Sequence, residues 1–209
     1  HARYVDSAVM PSHGHLEPIC AAAAVCNVEV VIGAVERAVD RGGHTLYCSA
    51  FWIDANGHLV NNHRKLVPTY EERLCWGAGD GAGLRTRRVG GMNVGVLNCW
   101  ENWMPLPRAA LYGQGENLHV AVWPGSDHNT KDITRFIARE SRSFVLSVSA
   151  LMSKTHFPLN TPHYSKITEN CPDILANGGS CIAGPDGEWI LEPDIHTDGN
   201  IYHTLDFNK

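Results

Sequence analysis

The apolar positions in the first third of this chain fall into short runs that have the lengths of strands and of one helix. Residues 28–35 form a nearly continuous run of β-branched side chains, which is typical of a strand covered on both faces. Residues 45–54 and 58–66 predict two further strands, and the Asn56-Gly57 pair between them has the turn chemistry of a hairpin. An alanine-rich stretch over about residues 17–26 predicts a helix.

From residue 70 onward, the pattern alternates between loops, strands and helices. Residues 70–88 are rich in glycine and predict a loop. The other predicted elements are a strand over 92–98 that ends at Cys99, a helix around 107–114, a strand over 118–123, a helix over 132–144 capped by Asn129 or Thr130, a strand over 145–150, and a hairpin of 180–185 with 188–193 about Asp186-Gly187. This order predicts one α/β domain over residues 1–209, with helices outside and sheets inside.

The composition describes an ordinary globular protein and argues against two classes of partner. Hydrophobic residues make up 44% of the chain and charged residues 19%. The net charge of −5 offers no basic surface to a nucleic acid. No apolar run approaches the roughly 20 residues that a membrane-spanning helix needs. We therefore expect neither a nucleic-acid partner nor a membrane partner.

The cysteines and histidines do not have the spacing of a metal site or of a disulfide framework. The seven cysteines form no Cys-x-x-Cys pair, and their odd number argues against complete pairing. They predict mostly buried thiols in a reducing compartment, the cytoplasm. Among the 12 histidines, neither His13 with His15 nor His58 with His63 has helical ligand spacing beside a carboxylate. We expect no metal and no other cofactor.

Cys99 is the cysteine whose position suggests chemistry. It stands at the end of a buried strand, where α/β sheets place ligands. A helix-forming segment follows, and the N-terminus of a helix helps to stabilise a thiolate. Two indoles and a carboxylate follow at once, in Trp100-Glu101-Asn102-Trp103. The position alone is equally compatible with a packed core cysteine.

Lys65 stands at the end of another predicted strand and is followed by Pro68, which stops strand pairing. On this pattern alone, Lys65 is a solvated strand terminus, and Glu72 is a surface charge.

Together these segments resemble the nitrilase superfamily, and specifically its true nitrilase branch. The segments that carry the resemblance run in order almost from end to end: Ile32-Gly33 with Glu36-Arg37, His63-Arg64-Lys65-Leu66 with Pro68-Thr69, Glu72-Arg73, Trp76-Gly77, Gly79-Asp80-Gly81, Cys99-Trp100-Glu101-Asn102 with Met104-Pro105-Leu106, Tyr112-Gly113-Gln114-Gly115, Ala121-Val122-Trp123-Pro124-Gly125, Gly178-Gly179-Ser180-Cys181 and Gly184-Pro185-Asp186-Gly187. Amide-cleaving relatives usually carry Cys-Tyr-Asp where this chain has Cys-Trp-Glu, so the tripeptide favours nitriles as substrates.

The resemblance implies a fold, a site and a mode of assembly. The fold is a four-layer α-β-β-α sandwich. The implied nucleophile is Cys99, the implied triad lysine is Lys65, and Glu72 is a supporting glutamate. Trp100 is expected to line the substrate pocket. Members of this branch associate into dimers that stack into helical filaments.

The resemblance also implies a triad glutamate at a strand end well before Lys65. Glu17, Glu29 and Glu36 do not match that place, so we expect the chain to lack N-terminal strands with the general base, and to lack a C-terminal tail. Two alternatives to nitrile hydrolysis stay open at this point: a relative that hydrolyses amides or cyanide, and a non-catalytic filament subunit.

Overall fold

A computed structural model describes residues 2–207. His1, Asn208 and Lys209, the two ends of the predicted domain, lie outside the described residues. The strands are β1 Val30–Ala38, β2 Thr45–Ile53, β3 Leu59–Arg64, β4 Arg87–Val89, β5 Met92–Asn98, β6 Leu118–Trp123, β7 Phe144–Ser149, β8 Leu151–Ser153, β9 Ile174–Ala183 and β10 Trp189–Ile195. The α-helices are α1 Ala2–Ser7, α2 Glu17–Cys26, α3 Pro105–Tyr112, α4 Asp127–Ser141 and α5 Tyr164–Glu169.

The first sheet, sheet I, is an antiparallel meander in the order β1-β2-β3. The predicted hairpin joins β2 to β3. Gly57 adopts a φ of 81° there, and the Asp54 carboxylate accepts hydrogen bonds from the N–H groups of Asn56 and His58 at 3.0 and 2.9 Å. The side chain of Asp54 thus replaces backbone partners in the turn.

The second sheet, sheet II, has the order β10-β9-β7-β6-β5-β4, and β8 pairs with β9 beside it. Strands β5, β6 and β7 are parallel, with α3 and α4 on the connections between them. At each edge of the sheet, the outer strand pairs in antiparallel orientation with its neighbour in sequence, β10 with β9 and β4 with β5. The sheet therefore combines the alternating strands and helices of the middle of the sequence with the hairpins near its ends.

The core consists of three apolar layers. Ile133 and Ile137 of α4 pack on the outer face of sheet II. Ala50 and Trp52 of β2 pack against the inner face of sheet II, as part of a cluster with Val94, Val96, Val120 and Phe144. The alternate β2 residues Phe51 and Ile53 pack with Ala23 of α2. The period of two along β2 thus places one set of side chains between the sheets and the other beneath a helix. The mixed α/β fold predicted from the sequence is confirmed.

Three predicted elements need correction. The strand predicted over 180–185 begins earlier, at Ile174, and ends at Ala183. Residues 70–88 are not all loop, because a 3₁₀ helix spans Tyr70–Leu74 and a short strand spans Arg87–Val89. The capping-box pattern Thr69-x-x-Glu72 was the signal for that helix.

The helix predicted over residues 132–144 begins earlier, at Asp127, and ends at Ser141. Asn177 binds both the backbone N–H and the carboxylate of Asp127, at 3.0 and 2.9 Å, and so fixes the first turn from 50 residues away. Arg142, at a φ of 56°, ends the helix in a left-handed conformation. Among the described residues, no helix is long and apolar enough to cross a membrane.

Candidate active site

Cys99 follows directly after β5 and begins a 3₁₀ helix over Cys99–Trp103. Its φ of 52° lies in the left-handed region, which is costly for a side chain with a Cβ. Such strain concentrates at functional sites, where the surroundings hold the backbone in place. The Cys99 side chain is buried, and the turn presents it at the carboxyl end of the parallel strands.

Lys65 follows directly after β3 and is fully buried, so the solvated strand terminus suggested by local pattern is wrong. Its Nζ donates to Glu72 Oε2 at 2.6 Å and to Thr69 Oγ1 at 3.2 Å. The same Glu72 oxygen accepts the Thr69 N–H at 2.6 Å. The 3₁₀ helix thus brings the carboxylate to the lysine, and the ion pair compensates a charge that would otherwise be costly to bury.

Glu101 connects the strand end of Lys65 to the strand end of Cys99. Its Oε1 accepts the Leu66 N–H at 2.8 Å, and its Oε2 accepts the Asn98 N–H at 3.1 Å. His63 Nε2 lies 2.7 Å from the same Oε2 and donates to it. In the sequence, Glu101 was recognised only as part of the Cys-Trp-Glu motif. The signal that could have identified Glu101 is its place beside a buried turn, where a carboxylate requires hydrogen-bond donors.

The charges around Cys99 have opposing effects on its thiol. Burial raises the pKa of Cys99 above its usual value, while the Lys65 ammonium and the Trp100 N–H act to lower it. Burial alone would lower the pKa of Lys65, but the hydrogen bond to Glu72 and the charges of Cys99, Glu72 and Cys48 together outweigh burial, and the pKa is raised. The resting site therefore holds a protonated thiol beside a charged lysine, so nucleophilic attack by the sulfur requires a proton acceptor.

A cavity of about 240 Å³ opens at Cys99 between the two sheets. Its wall is mostly apolar and is formed by Gly33, Ala34, Val35, Cys48, Glu72, Trp76, Asn98, Cys99, Val122, Trp123 and Pro124. Burial raises the pKa of the second thiol in this wall, Cys48, to about 12. A small organic molecule can reach both the sulfur of Cys99 and the Glu72 carboxylate here.

Trp100, the expected wall residue, lies elsewhere in the described part of the chain. Its side chain is 46% exposed and contacts the Trp103 ring at a centroid distance of 5.9 Å. The indoles in the cavity wall are those of Trp76 and Trp123. What Trp100 contributes at the cavity is its backbone N–H, directed at the Cys99 sulfur.

Two of the glutamates that precede Lys65, Glu36 and Glu29, have hydrogen-bond partners outside the cavity. Glu36 accepts hydrogen bonds from Ser49 and Arg64, both at 2.6 Å. Glu29 accepts the Trp52 indole N–H at 2.6 Å. Glu17 begins α2. Glu72 is therefore the carboxylate that the described chain brings to the cavity. Within residues 2–207, no group of three or more His, Cys, Asp or Glu side chains has the arrangement of a metal site.

Comparison with known proteins gives a family and a fold. The sequence profile of carbon-nitrogen hydrolases matches residues 1–209. The chain is 37% identical over 217 residues to an aliphatic nitrilase of Sinorhizobium fredii, covering 99% of this chain and 68% of that protein. It is 34% identical over 208 residues to nitrilase 2 of Arabidopsis thaliana, covering 98% of this chain and 60% of that protein. These matches confirm the resemblance inferred from the motifs.

The fold also matches a solved structure. The crystal structure of a carbon-nitrogen hydrolase from Helicobacter pylori G27 aligns with a TM-score of 0.67 at 16% identity, and the alignment covers 87% of this chain and 62% of that one. At this identity the match supports the fold alone. The chain spans between 60% and 68% of the length of the two relatives named above.

Proposed function

This chain belongs to the carbon-nitrogen hydrolase family, and we propose that it hydrolyses an organic nitrile to a carboxylic acid and ammonia with Cys99 as the nucleophile. The observation that carries the proposal is the meeting of two strand ends at one apolar cavity. One strand end supplies the Cys99 thiol in the cavity wall. The other supplies Lys65, whose buried ammonium lies behind the wall beside the Cys99 sulfur and is held at 2.6 Å by the wall residue Glu72. A nitrile carbon is a weak electrophile, so it needs a strong nucleophile and a fixed positive charge.

In the first step, the Cys99 sulfur adds to the nitrile carbon. The carbon–nitrogen triple bond becomes a double bond, and the nitrogen takes up a proton, which gives a thioimidate. In this proposal, Lys65 and the Trp100 N–H stabilise the negative charge that develops during addition, which is supported by their interaction with the Cys99 thiol. Preorganised donors of this kind contribute about 3–4 kcal/mol each in other enzymes.

In the following steps, two water molecules enter. The first adds to the thioimidate carbon, ammonia departs, and a thioester remains. The second adds to the thioester and releases the carboxylic acid and the Cys99 thiol. The sum is one nitrile and two waters giving one acid and one ammonia. The chain's own residues supply the nucleophile and the charge stabilisation, and the scheme requires no metal and no organic cofactor.

Glu72 has a supporting role in this scheme, since its carboxylate fixes the Lys65 ammonium next to the sulfur. The family resemblance implies a further glutamate as the general base that takes the thiol proton and activates each water. We propose that such a base acts together with Glu72. General bases contribute about 10²–10⁴-fold to catalysis, so its removal is measurable.

Three observations support nitriles as the substrate class. The nucleophile stands in Cys99-Trp100-Glu101, the form typical of the nitrile branch. Two relatives that match nearly the whole of this chain are named as nitrilases. The cavity wall is mostly apolar and includes two indoles, which suits the hydrocarbon part of an organic nitrile. We further propose that the whole protein is a four-layer α-β-β-α sandwich that self-associates into dimers and helical filaments.

The test is ammonia release by residues 1–209 and by the full open reading frame that contains them. The substrates are benzonitrile, phenylacetonitrile and an aliphatic dinitrile, with the matching amides and cyanide beside them. Turnover of nitriles in preference to amides and cyanide supports the proposal. Preference for amides or cyanide assigns one of the alternative activities. Absence of all turnover in soluble full-length protein, with filaments seen by electron microscopy, assigns the non-catalytic role.

A further inference from the structure

A row of buried polar side chains lies behind Cys99, and the proposed reaction does not use it. The Asn102 amide nitrogen donates to the Cys99 carbonyl oxygen at 2.8 Å and lies 3.4 Å from the Leu97 carbonyl oxygen. The Asn102 amide oxygen lies 2.8 Å from His119 Nε2, and His119 Nδ1 lies 2.9 Å from Glu116 Oε1. Asn102 and His119 are fully buried, and Glu116 is 5% exposed.

The direction of each hydrogen bond in this row follows from the groups themselves. Asn102 faces two carbonyl oxygens, so its NH₂ group must point toward them and its oxygen must point toward His119. His119 Nε2 therefore carries a hydrogen. An imidazole nitrogen without a hydrogen and a carboxylate oxygen are both acceptors, so the 2.9 Å contact between Nδ1 and Glu116 needs one more hydrogen. The His119–Glu116 pair thus holds a shared proton and has no net charge.

We propose that Asn102, His119 and Glu116 are positioning residues that hold the strained Cys99 turn through a row of hydrogen bonds. This row depends on the proton that His119 and Glu116 share, and it does not depend on a charge on Glu116. The proposal rests on the proposed role of Cys99 as the nucleophile. Asn102 is the group that touches the Cys99 backbone, and His119 and Glu116 fix its orientation. Arg108 supports the same group from α3, because it donates to the Asn102 carbonyl oxygen at 2.8 Å.

Because the contact with His119 Nδ1 needs a hydrogen, a neutral side chain can replace Glu116 if it donates that hydrogen. The second Glu116 oxygen, Oε2, is buried and has no hydrogen-bond partner among the described residues. In Glu116→Gln the amide nitrogen can take the place of Oε1 and donate to His119 Nδ1, while the amide oxygen takes the place of Oε2. A neutral His119 then keeps its hydrogen on Nε2 for Asn102. Glu116→Met has a similar length and offers no donor, so Nδ1 is left unpaired in a buried site.

The experiment compares Glu116→Gln, Glu116→Met and Asn102→Asp with the parent in the full-length protein. Asn102→Asp places a carboxylate oxygen against the Cys99 carbonyl oxygen. We expect Glu116→Gln to retain most of the parent kcat. We expect Glu116→Met and Asn102→Asp to lose roughly ten- to hundredfold in kcat, the scale of a misplaced reacting group, with KM for benzonitrile little changed. A residue that only stabilised the fold would lower the unfolding temperature without this split between kcat and KM.

A second readout is the rate of Cys99 alkylation by iodoacetamide as a function of pH, which does not need nitrile turnover. The two disruptive variants should shift this profile, and Glu116→Gln should not. If the parent fails to hydrolyse nitriles, the proposed function falls, and the alkylation profiles still decide the present inference. Equal losses in folded Glu116→Gln and Glu116→Met overturn the inference that His119 and Glu116 share a proton. Parent-like kcat and alkylation in Asn102→Asp, or in Asn102→Ser if the first variant does not fold, overturn the positioning role.

Discussion

The strand ends that carry Lys65 and Cys99 are held in different ways. At the end of β3, the buried Lys65 ammonium is fixed by an ionised carboxylate, Glu72, at 2.6 Å. At the end of β5, Cys99 has a left-handed backbone, and Asn102 donates to its carbonyl oxygen at 2.8 Å. One end of the site is organised by opposite charges and the other by hydrogen bonds of fixed direction.

This difference predicts which substitutions each end tolerates. At the Lys65 end, the field of a compact ammonium acts on the sulfur, so both the charge and its position matter. At the Cys99 end, hydrogen-bond direction matters, so a neutral group can replace a charged one only where it offers its partner a hydrogen bond of the required direction. We expect the effects of substitution to decrease in the order Cys99→Ala, Lys65→Arg, Glu101→Gln and Lys154→Met.

Cys99→Ala should abolish nitrile hydrolysis, because no other group can replace the sulfur that forms the thioimidate. The loss of one small side chain leaves little cavity, so the fold should persist. Ammonia release and far-UV circular dichroism measure the two outcomes. Cys181→Ala is the matched control, since Cys181 is also buried but lies outside the cavity wall. Turnover of the Cys99 variant within tenfold of the parent would show that another residue is the nucleophile.

Lys65→Arg should lower kcat by at least about a hundredfold, the scale seen when one charge-stabilising donor is lost. The planar guanidinium keeps the charge but cannot occupy the place of the ammonium between Glu72 and the sulfur. Glu72→Gln should also impair turnover, since it removes the anion that holds Lys65. Steady-state kinetics at several pH values measure both. Normal activity in both variants would refute the roles assigned to this pair.

Glu101→Gln should weaken both strand ends, because Glu101 joins them. Its Oε2 accepts hydrogen bonds from Asn98 and His63, and its Oε1 accepts one from Leu66. An amide nitrogen at either place faces a donor and leaves a buried group unpaired. We expect the free energy of unfolding to fall by about 1–3 kcal/mol, measured by urea denaturation. Glu192→Gln, at an exposed position on β10, is the control and should unfold like the parent.

Lys154→Met should leave both stability and turnover unchanged. Lys154 pairs with Asp173, but both side chains are exposed to water and neither residue belongs to the cavity wall. Exposed ion pairs contribute little because solvent screens them. A clear shift in the unfolding midpoint would mean that ion pairs at the surface contribute as much to stability as the buried pair at Lys65.

Local pattern was enough to find many of the elements, whereas the two candidate site residues, Cys99 and Lys65, were found only through the family resemblance. The strand Met92–Asn98 and the helix Glu17–Cys26 have the predicted bounds, because apolar runs and turn residues define them locally. The motifs placed Cys99 and Lys65 at strand ends, where the structure has them. The beginning of α4 was predicted too late, since Asn177, a residue far along the chain, fixes it.

The mixed α/β fold, the family and the residue types at the candidate site could be predicted from the amino-acid sequence, because periodicity and motifs are properties of neighbouring positions. The folded structure was needed to see that Lys65 is buried and that Glu101 joins the two strand ends. It was also needed to see that Trp76 and Trp123 lie in the cavity wall while Trp100 lies half-exposed. It also revealed the row from Glu116 to Cys99. These facts depend on contacts between elements that are distant along the chain, and the direction of a buried hydrogen bond follows only when both partners are known.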